Sequence, residues 1–380
     1  MNTNVKQNPV SFNPGHKSMI AWRQVWGLAI LLAAVMICWM VYGFYQPKIL
    51  NDLGFFALAQ QLGIIQGVLG AIVEPIVGWH SDQLFRRLHS RFPLITVGVT
   101  LAGLIFVLTA VLVTNPLITA VRWIVPILMT IWVIAMIIFR GPAIALLRQF
   151  APTEQLPKAN AILTLVFGLV GAVSPLIETI IKTLGGSLTF LLAALLLMIG
   201  AVLFKSSQPQ PSLPVPSEDG AISRVDALRI FGVGIAAGIQ ATVLLRYAPS
   251  NAGLAALILL ISALAALPLE RLALSWGIRR SMAISLGAIA PLTGLLLLSA
   301  NSIFALPVLV LAGITFGLLF ISQIPYALQA VPSAQAGWGT GLYFGGMGGG
   351  SAIAALLSTH PVGIALGGSA IAIVALAKPR

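Results

Sequence analysis

Apolar runs of about twenty residues recur along this chain, one after another, with short polar loops between them. An α-helix rises 1.5 Å per residue, so about twenty apolar residues cross the roughly 30 Å hydrocarbon layer of a bilayer. The runs fall near 25–46, 58–78, 93–113, 120–141, 159–181 and 187–204, then near 226–246, 250–269, 281–299, 304–326, 337–358 and 361–377. A chain written this way predicts an all-α membrane protein of twelve transmembrane helices. Composition excludes the soluble alternative. Charged residues are only 8% and apolar residues 58%, whereas a soluble domain carries about a quarter charged residues. The partner over most of the surface is therefore the lipid bilayer.

The net charge of +12 does not point to nucleic acid, because the basic residues sit in short loops and form no stripe with interleaved aromatics. Their distribution sets an orientation. Of the 21 Lys and Arg residues, 17 fall on one side of the expected topology. The other four are Lys48, Arg122, Lys182 and Arg246. Positive loops stay cytoplasmic, so both termini are expected there, which an even span count also requires. The expected location is a bacterial-type inner membrane. The single cysteine, Cys38, lies inside an apolar run and reads as a packed small hydrophobe. The first apolar run lacks a small-residue cleavage site and reads as a retained helix.

The expected division is a cytoplasmic tail at 1–24, a six-helix half at 25–204, a cytoplasmic linker at 205–225 and a second six-helix half at 226–380. The linker, KSSQPQPSLPVPSEDGAISRV, is dominated by Pro, Ser and Gln. The halves share internal similarity. Asp82 precedes Arg91 by nine residues, and Glu270 precedes Arg279 by nine, at an offset of 188. Pro142, Ala145, Leu146 and Pro152 match Pro325, Ala327, Leu328 and Pro332 at offsets of 180 to 183. Two similar halves joined by a linker are the build of rocking transporters, which hold the solute between them at mid-membrane.

The segment GWHSDQLFRRLHSRFPLI, Gly78 to Ile95, resembles the signature loop of major facilitator transporters, in the form found in the sugar–cation and sucrose–proton symporter branch. Gly78, Ser81, Asp82, Arg87, Arg91 and Pro93 match that pattern. Gln83 stands where the family usually has Arg, and His89 where it has Gly. A second stretch is similar to the junction of helices 4 and 5 in that branch, through Arg140, Pro142, Ala145, Leu146, Pro152, Lys158, Ala159 and Asn160. Gln149 stands there in place of an Asp. Thr340–Phe344, TGLYF, is similar to the start of helix 11. The resemblance implies a major facilitator fold of two pseudo-symmetric six-helix halves, with solute contacts on helices 1, 4, 7 and 10.

The residues suggest three groups. Gly78, Asp82, Arg87, Arg91, Arg140, Glu270 and Arg279 form a candidate cytoplasmic gate, since a carboxylate past the end of helix 2 can accept from a helix N-terminus or pair with Arg. The alternative is that these charges only anchor topology. Glu74 and Glu178 are candidates for proton or cation coupling, because carboxylates within a span are costly and usually functional. Gln66, Gly70 and Glu74 share one helix face. Against coupling, Glu74 can be a structural carboxyl beside Arg140 or Arg148, and Glu178 can pair with Lys182 at i,i+4. Trp39, Tyr42, Gln46, Trp132, Gln240, Ser322 and Gln323 are candidate solute contacts, aromatics for the apolar face of a sugar and amides for its hydroxyls. Belt positions at the membrane interface are the alternative for the aromatics.

Glycines recur at helical spacing, and the run Gly345-Gly346-Met347-Gly348-Gly349-Gly350 exceeds what close helix contact asks, so helix 11 is expected to bend there during the transport cycle. No phosphate-binding loop, metal cluster or nucleophile arrangement is written in the chain, so neither an enzyme, a cofactor nor a metal is expected. The expected function is secondary transport of a small polar solute, sugar-like by resemblance, by a monomer coupled to a proton or cation. The alternatives are an efflux transporter of hydrophobic compounds, and a non-transporting scaffold or cofactor-delivery protein with the same fold.

Overall fold

The structure, a computed structural model, describes residues 19–114, 122–208, 220, 222–247, 252–299 and 304–377. The expected tail lies mostly outside these residues, as do 209–219 and 221 of the expected linker.

Every long apolar run is helical. The N-terminal helices are α1 (Trp22–Asp52), α2 (Phe56–Leu88), α3 (Phe92–Thr114), α4 (Ile124–Ala145), the short α5 (Leu147–Phe150), α6 (Leu156–Ala172), α7 (Ser174–Leu184) and α8 (Gly186–Ser206). The C-terminal helices are α9 (Arg224–Thr242), α10 (Ala252–Trp276), α11 (Ile278–Ser299), α12 (Ala305–Gln329), α13 (Ala336–Leu356) and α14 (Pro361–Leu376). Among the described residues, ten helices are long and apolar enough to cross a membrane. The eleventh and twelfth expected runs are also helical, but they are not among the ten: α13 is diluted by glycine and α14 has 16 residues.

Three expected boundaries move. The run 159–181 is two helices, broken at Val173 just before Pro175, where a proline suits the first turn of a new helix. The linker's end is already structured: Ser223 caps α9 by accepting from the Asp226 N–H at 3.0 Å. Asp82 does not lie past the end of helix 2, because α2 runs on to Leu88. The connection to α3 is only His89 to Arg91. The turn is made at His89, whose φ of 53° is left-handed. Gly277, 188 positions later, makes the matching turn between α10 and α11 at φ 82°. A family pattern with glycine at that point follows from the same geometry.

α13 lies between α2 and α9 and makes its largest contacts with them. Its glycines divide between those two neighbours. A β-carbon at Gly341 would strike the Glu74 carbonyl, and one at Gly345 would meet the Pro75 ring. One at Gly346 or Gly350 would strike α9 backbone at Phe231 or Ile235. The helix is unbroken through the run. In this state, contact on two sides accounts for the glycine density. Further contacts between the N- and C-terminal helices include α6 with α10 and α12, α4 with α13, and α7 with α10.

Candidate functional site

The two sets of helices are tied at the end where α2 finishes and α13 begins. Both oxygens of Asp82 face the first turn of α13: Gly337 N–H donates to Oδ1 at 2.9 Å and Trp338 N–H to Oδ2 at 2.6 Å. Arg91 Nη2 reaches the same carboxylate at 2.6 Å, and its Nη1 donates to Ser81 at 2.8 Å. Helix N-termini leave four N–H groups without partners, and an anion there gains both hydrogen bonds and the helix dipole. Both side chains are buried, so the contact is dry. Gly78 allows the approach, since a β-carbon there would run into the Gly337 carbonyl.

One turn or two deeper, Glu74 pairs with Arg140 of α4. The guanidinium lies over the Phe344 ring of α13 at 5.2 Å. Arg140 therefore belongs to this deeper pair and not to the Asp82 cluster. Glu74 Oε2 and Arg140 Nε have no partner among the described residues, which leaves one acceptor and one donor at the contact of the two sets.

Two further ties cross between the sets, and they are equivalent under the internal repeat. Asn160 of α6 donates to the carbonyls of Phe320 and Ile321 in α12, both at 2.8 Å. Thr340 of α13 donates to the Gly141 carbonyl of α4 at 3.4 Å. Asn160 and Thr340 are 180 positions apart, the offset of Pro152 and Pro332. Pro325 sits four residues after Ile321 and has no N–H for its carbonyl, so Asn160 supplies the missing donor. The turns that start α6 and α13 match too, with Pro152 at φ −55°, ψ 150° and Pro332 at φ −56°, ψ 151°. A proline four residues after a carbonyl was the signal for the Asn160 contact, which sequence reasoning did not use.

A polar cluster lies further along α2. Gln66 donates to Tyr42 Oη at 2.9 Å and to Gln46 Oε1 at 3.1 Å, while Gln46 donates to Tyr42 Oη at 2.7 Å. Tyr42 in turn donates to the Met129 carbonyl at 3.3 Å. Its ring stacks on Trp132 at 4.3 Å, and Trp132 stacks on Phe106 at 4.7 Å. Trp39 meets Trp132 edge-on at 5.0 Å. Tyr42 and Trp132 are thus buried within the N-terminal helices, while Trp39 is half-buried. The indole N–H groups of Trp39 and Trp132 have no partner among the described residues.

The remaining candidates scatter. Gln240 is locked inside the C-terminal helices, donating to the Ala365 carbonyl at 2.8 Å and to Ser369 at 2.9 Å. Gln323 is buried and accepts from Tyr343 at 3.4 Å; Ser322 is buried, its hydroxyl without a partner among the described residues. Glu178 and Lys182 are not joined by an ion pair, and Lys182 sits 5.6 Å from the Phe44 ring instead. Arg87 is exposed and makes no ion pair among the described residues. Glu270 lies in the field of Lys158 and Arg271, the counterpart of Asp82 near α13 but without its bonds. Arg279 does not mirror Arg91: it donates to the Leu376 carbonyl at the end of α14, its Nε at 2.8 Å. Of the candidate gate residues, the structure brings together Gly78, Asp82 and Arg91, and the C-terminal counterpart of this cluster lacks its bonds.

The family model described as Major Facilitator Superfamily matches residues 123–355. None of the curated proteins matches the sequence. Among solved structures, the human organic anion transporter MFSD10 (TETRAN) is similar with a TM-score of 0.68 at 14% identity, covering 94% of this chain and 98% of that one. A bacterial homologue of the iron transporter ferroportin, in an outward-facing state, is similar with a TM-score of 0.64 at 15% identity, again over 94% and 98%. At such identities the likeness is one of fold.

Proposed function

Because this chain belongs to the Major Facilitator Superfamily, we propose that it is a secondary transporter that moves a small polar solute by alternating access. The observation that carries this reading is the Asp82 carboxylate, held by N–H groups of a helix from the other set. Such a contact exists only while that end of the bundle is closed. It is strong enough to define a state and local enough to break when the halves rock. The lysine and arginine bias makes the sealed end cytoplasmic, with both termini on that side, and the twelve-helix, two-half plan at 25–204 and 226–380 is part of the proposal. A bacterial-type inner membrane is the proposed location.

Glu74 is the proposed coupling site for a proton or cation. It is buried, paired with Arg140, and in contact with α13, so a change in its charge acts on the closed state directly. The amides and aromatics from Trp39 to Gln66 offer hydrogen bonds and ring faces to a solute, and a sugar-like solute rests on the symporter resemblance alone. The two similar structures are named for an organic anion and for iron, and neither solute is carried over.

The test is internal pH in proteoliposomes challenged with a panel of monosaccharides and disaccharides, with Glu74→Gln beside the wild type. One sugar driving proton entry, with coupling lost in the variant, is the expected result. A folded preparation in which no sugar moves protons rejects sugar symport. Coupling that survives Glu74→Gln removes Glu74 as the proton site.

A further inference from the structure

We infer that the α10–α11 corner is a binding site for the phosphate of an anionic phospholipid headgroup. A concavity of about 520 Å³ opens there, lined by Trp276, Gly277, Arg279, Arg280, Gln329 and the end of α14 at Leu376. It lies at the same end of the bundle as the Asp82 seal, since Gln329 on its wall donates to the Thr153 carbonyl at 2.9 Å.

Arg279 and Arg280 both line this concavity, and among the described residues no carboxylate is paired with either. Arg279 is bonded to a backbone carbonyl and makes no ion pair among the described residues. Arg280 is exposed and makes no ion pair among the described residues. By contrast, the neighbouring Arg229 is already answered by Asp226 at 3.3 Å. A guanidinium binds phosphate oxygens through two parallel N–H bonds. Trp276 is partly exposed beside them, and an indole at a helix end sits at headgroup depth. A basic hollow between helix ends beside a tryptophan is suited to a lipid phosphate with its acyl chains along the apolar flank of α10. Leu267 and Leu274 on that flank are exposed. The matching corner between α2 and α3 has Arg86 and Arg87 on an exposed face, while Arg91 is taken by Asp82. The two corners are therefore chemically different. The orientation proposed above decides only which leaflet supplies the lipid, and direct binding does not depend on it.

The experiment is native mass spectrometry of the purified full-length protein in detergent, titrated with phosphatidylglycerol, with phosphatidylcholine and with inorganic phosphate. Arg280→Gln is the test variant, because Arg280 makes no ion pair among the described residues, and its unfolding midpoint is measured alongside. Arg86→Gln removes the same charge at the other corner. We expect one phosphatidylglycerol retained per protein, its affinity lowered about tenfold by Arg280→Gln and unchanged by Arg86→Gln. Phosphatidylcholine is not retained. Equal loss in both variants, or none in Arg280→Gln, overturns the site. Displacement of the lipid by inorganic phosphate at matched concentration overturns the lipid assignment in favour of a soluble phosphate.

Discussion

A single buried pair shows how much one residue carries. Glu74 is 1% exposed and Arg140 27%, so removing the guanidinium leaves a carboxylate without compensation in a dry contact. Breaking such a pair costs about 3–5 kcal/mol, while removing both charges is often neutral. Arg140→Gln is therefore expected to destabilise by about that amount, and adding Glu74→Gln is expected to restore most of it. Unfolding of both variants in detergent decides the matter: a double variant no more stable than Arg140→Gln means the charges are not what holds the contact. His89 offers a smaller effect of opposite sign. A left-handed backbone costs a side chain about 1–2 kcal/mol, so His89→Gly should raise stability by about 1 kcal/mol, read as a higher unfolding midpoint. An unchanged or lower midpoint would show that the ring earns its place by other contacts. The face shared by Gln66, Gly70 and Glu74 was legible in the sequence, because helical spacing alone fixes it. The partner of Arg279 was not, because Leu376 contributes a backbone carbonyl nearly a hundred residues away, and a carbonyl leaves no mark on a sequence. Gln240 misled for a related reason: an amide in a span looks the same whether it meets a solute or closes a knot of carbonyls.

Among elements, α13 was the hardest to read. Its glycines announce close contact but not with which neighbour, and a helix flanked on both sides needs glycine on two faces. The structure separates them. Gly341 faces the Glu74 carbonyl of α2, across the two sets, whereas a β-carbon at Gly349 meets only the Ala71 methyl, at an ordinary 3.4 Å. Gly341→Ala must push α13 from α2 and favour the state open at the Asp82 end. Gly349→Ala has room and gains helix propensity, by up to about 1 kcal/mol. Spin labels on exposed Arg86 and Ala330 can report the separation of the two sets at that end, and the native Cys38 is buried and bonded to the Ala193 carbonyl at 3.4 Å. A longer label distance in Gly341→Ala with no change in Gly349→Ala is the expected outcome. Equal distances in both would mean the α2–α13 contact does not set the state. The break of the fifth run at Val173 was missed because the apolar pattern continues through it, and only Pro175 marked the point.

The whole molecule can be tested through its repeat. The sequence showed the repeat in loops and prolines, where spacing survives, but not in the pair Asn160 and Thr340, which share no chemistry beyond a donor. Both contacts cross between the N- and C-terminal helices, and both must be lost together if the two sets rock as rigid bodies. They differ in strength. Asn160 makes two bonds of 2.8 Å, one to a carbonyl left open by Pro325, while Thr340 reaches 3.4 Å and already bonds carbonyls of its own helix. A net hydrogen bond is worth about 0.5–1.5 kcal/mol, and 1.4 kcal/mol is a factor of ten in population. Asn160→Ala is thus expected to raise the fraction open at the Asp82 end about tenfold, and Thr340→Val by a factor of about two. In a two-state molecule the effects of separate contacts add in free energy, so the double variant should open by the product of the two factors. The same label pair measures all three. A double variant that opens no further than Asn160→Ala would show that the seal parts in sections, with α6 and α13 leaving independently, and would remove rigid-body rocking as the motion of this chain.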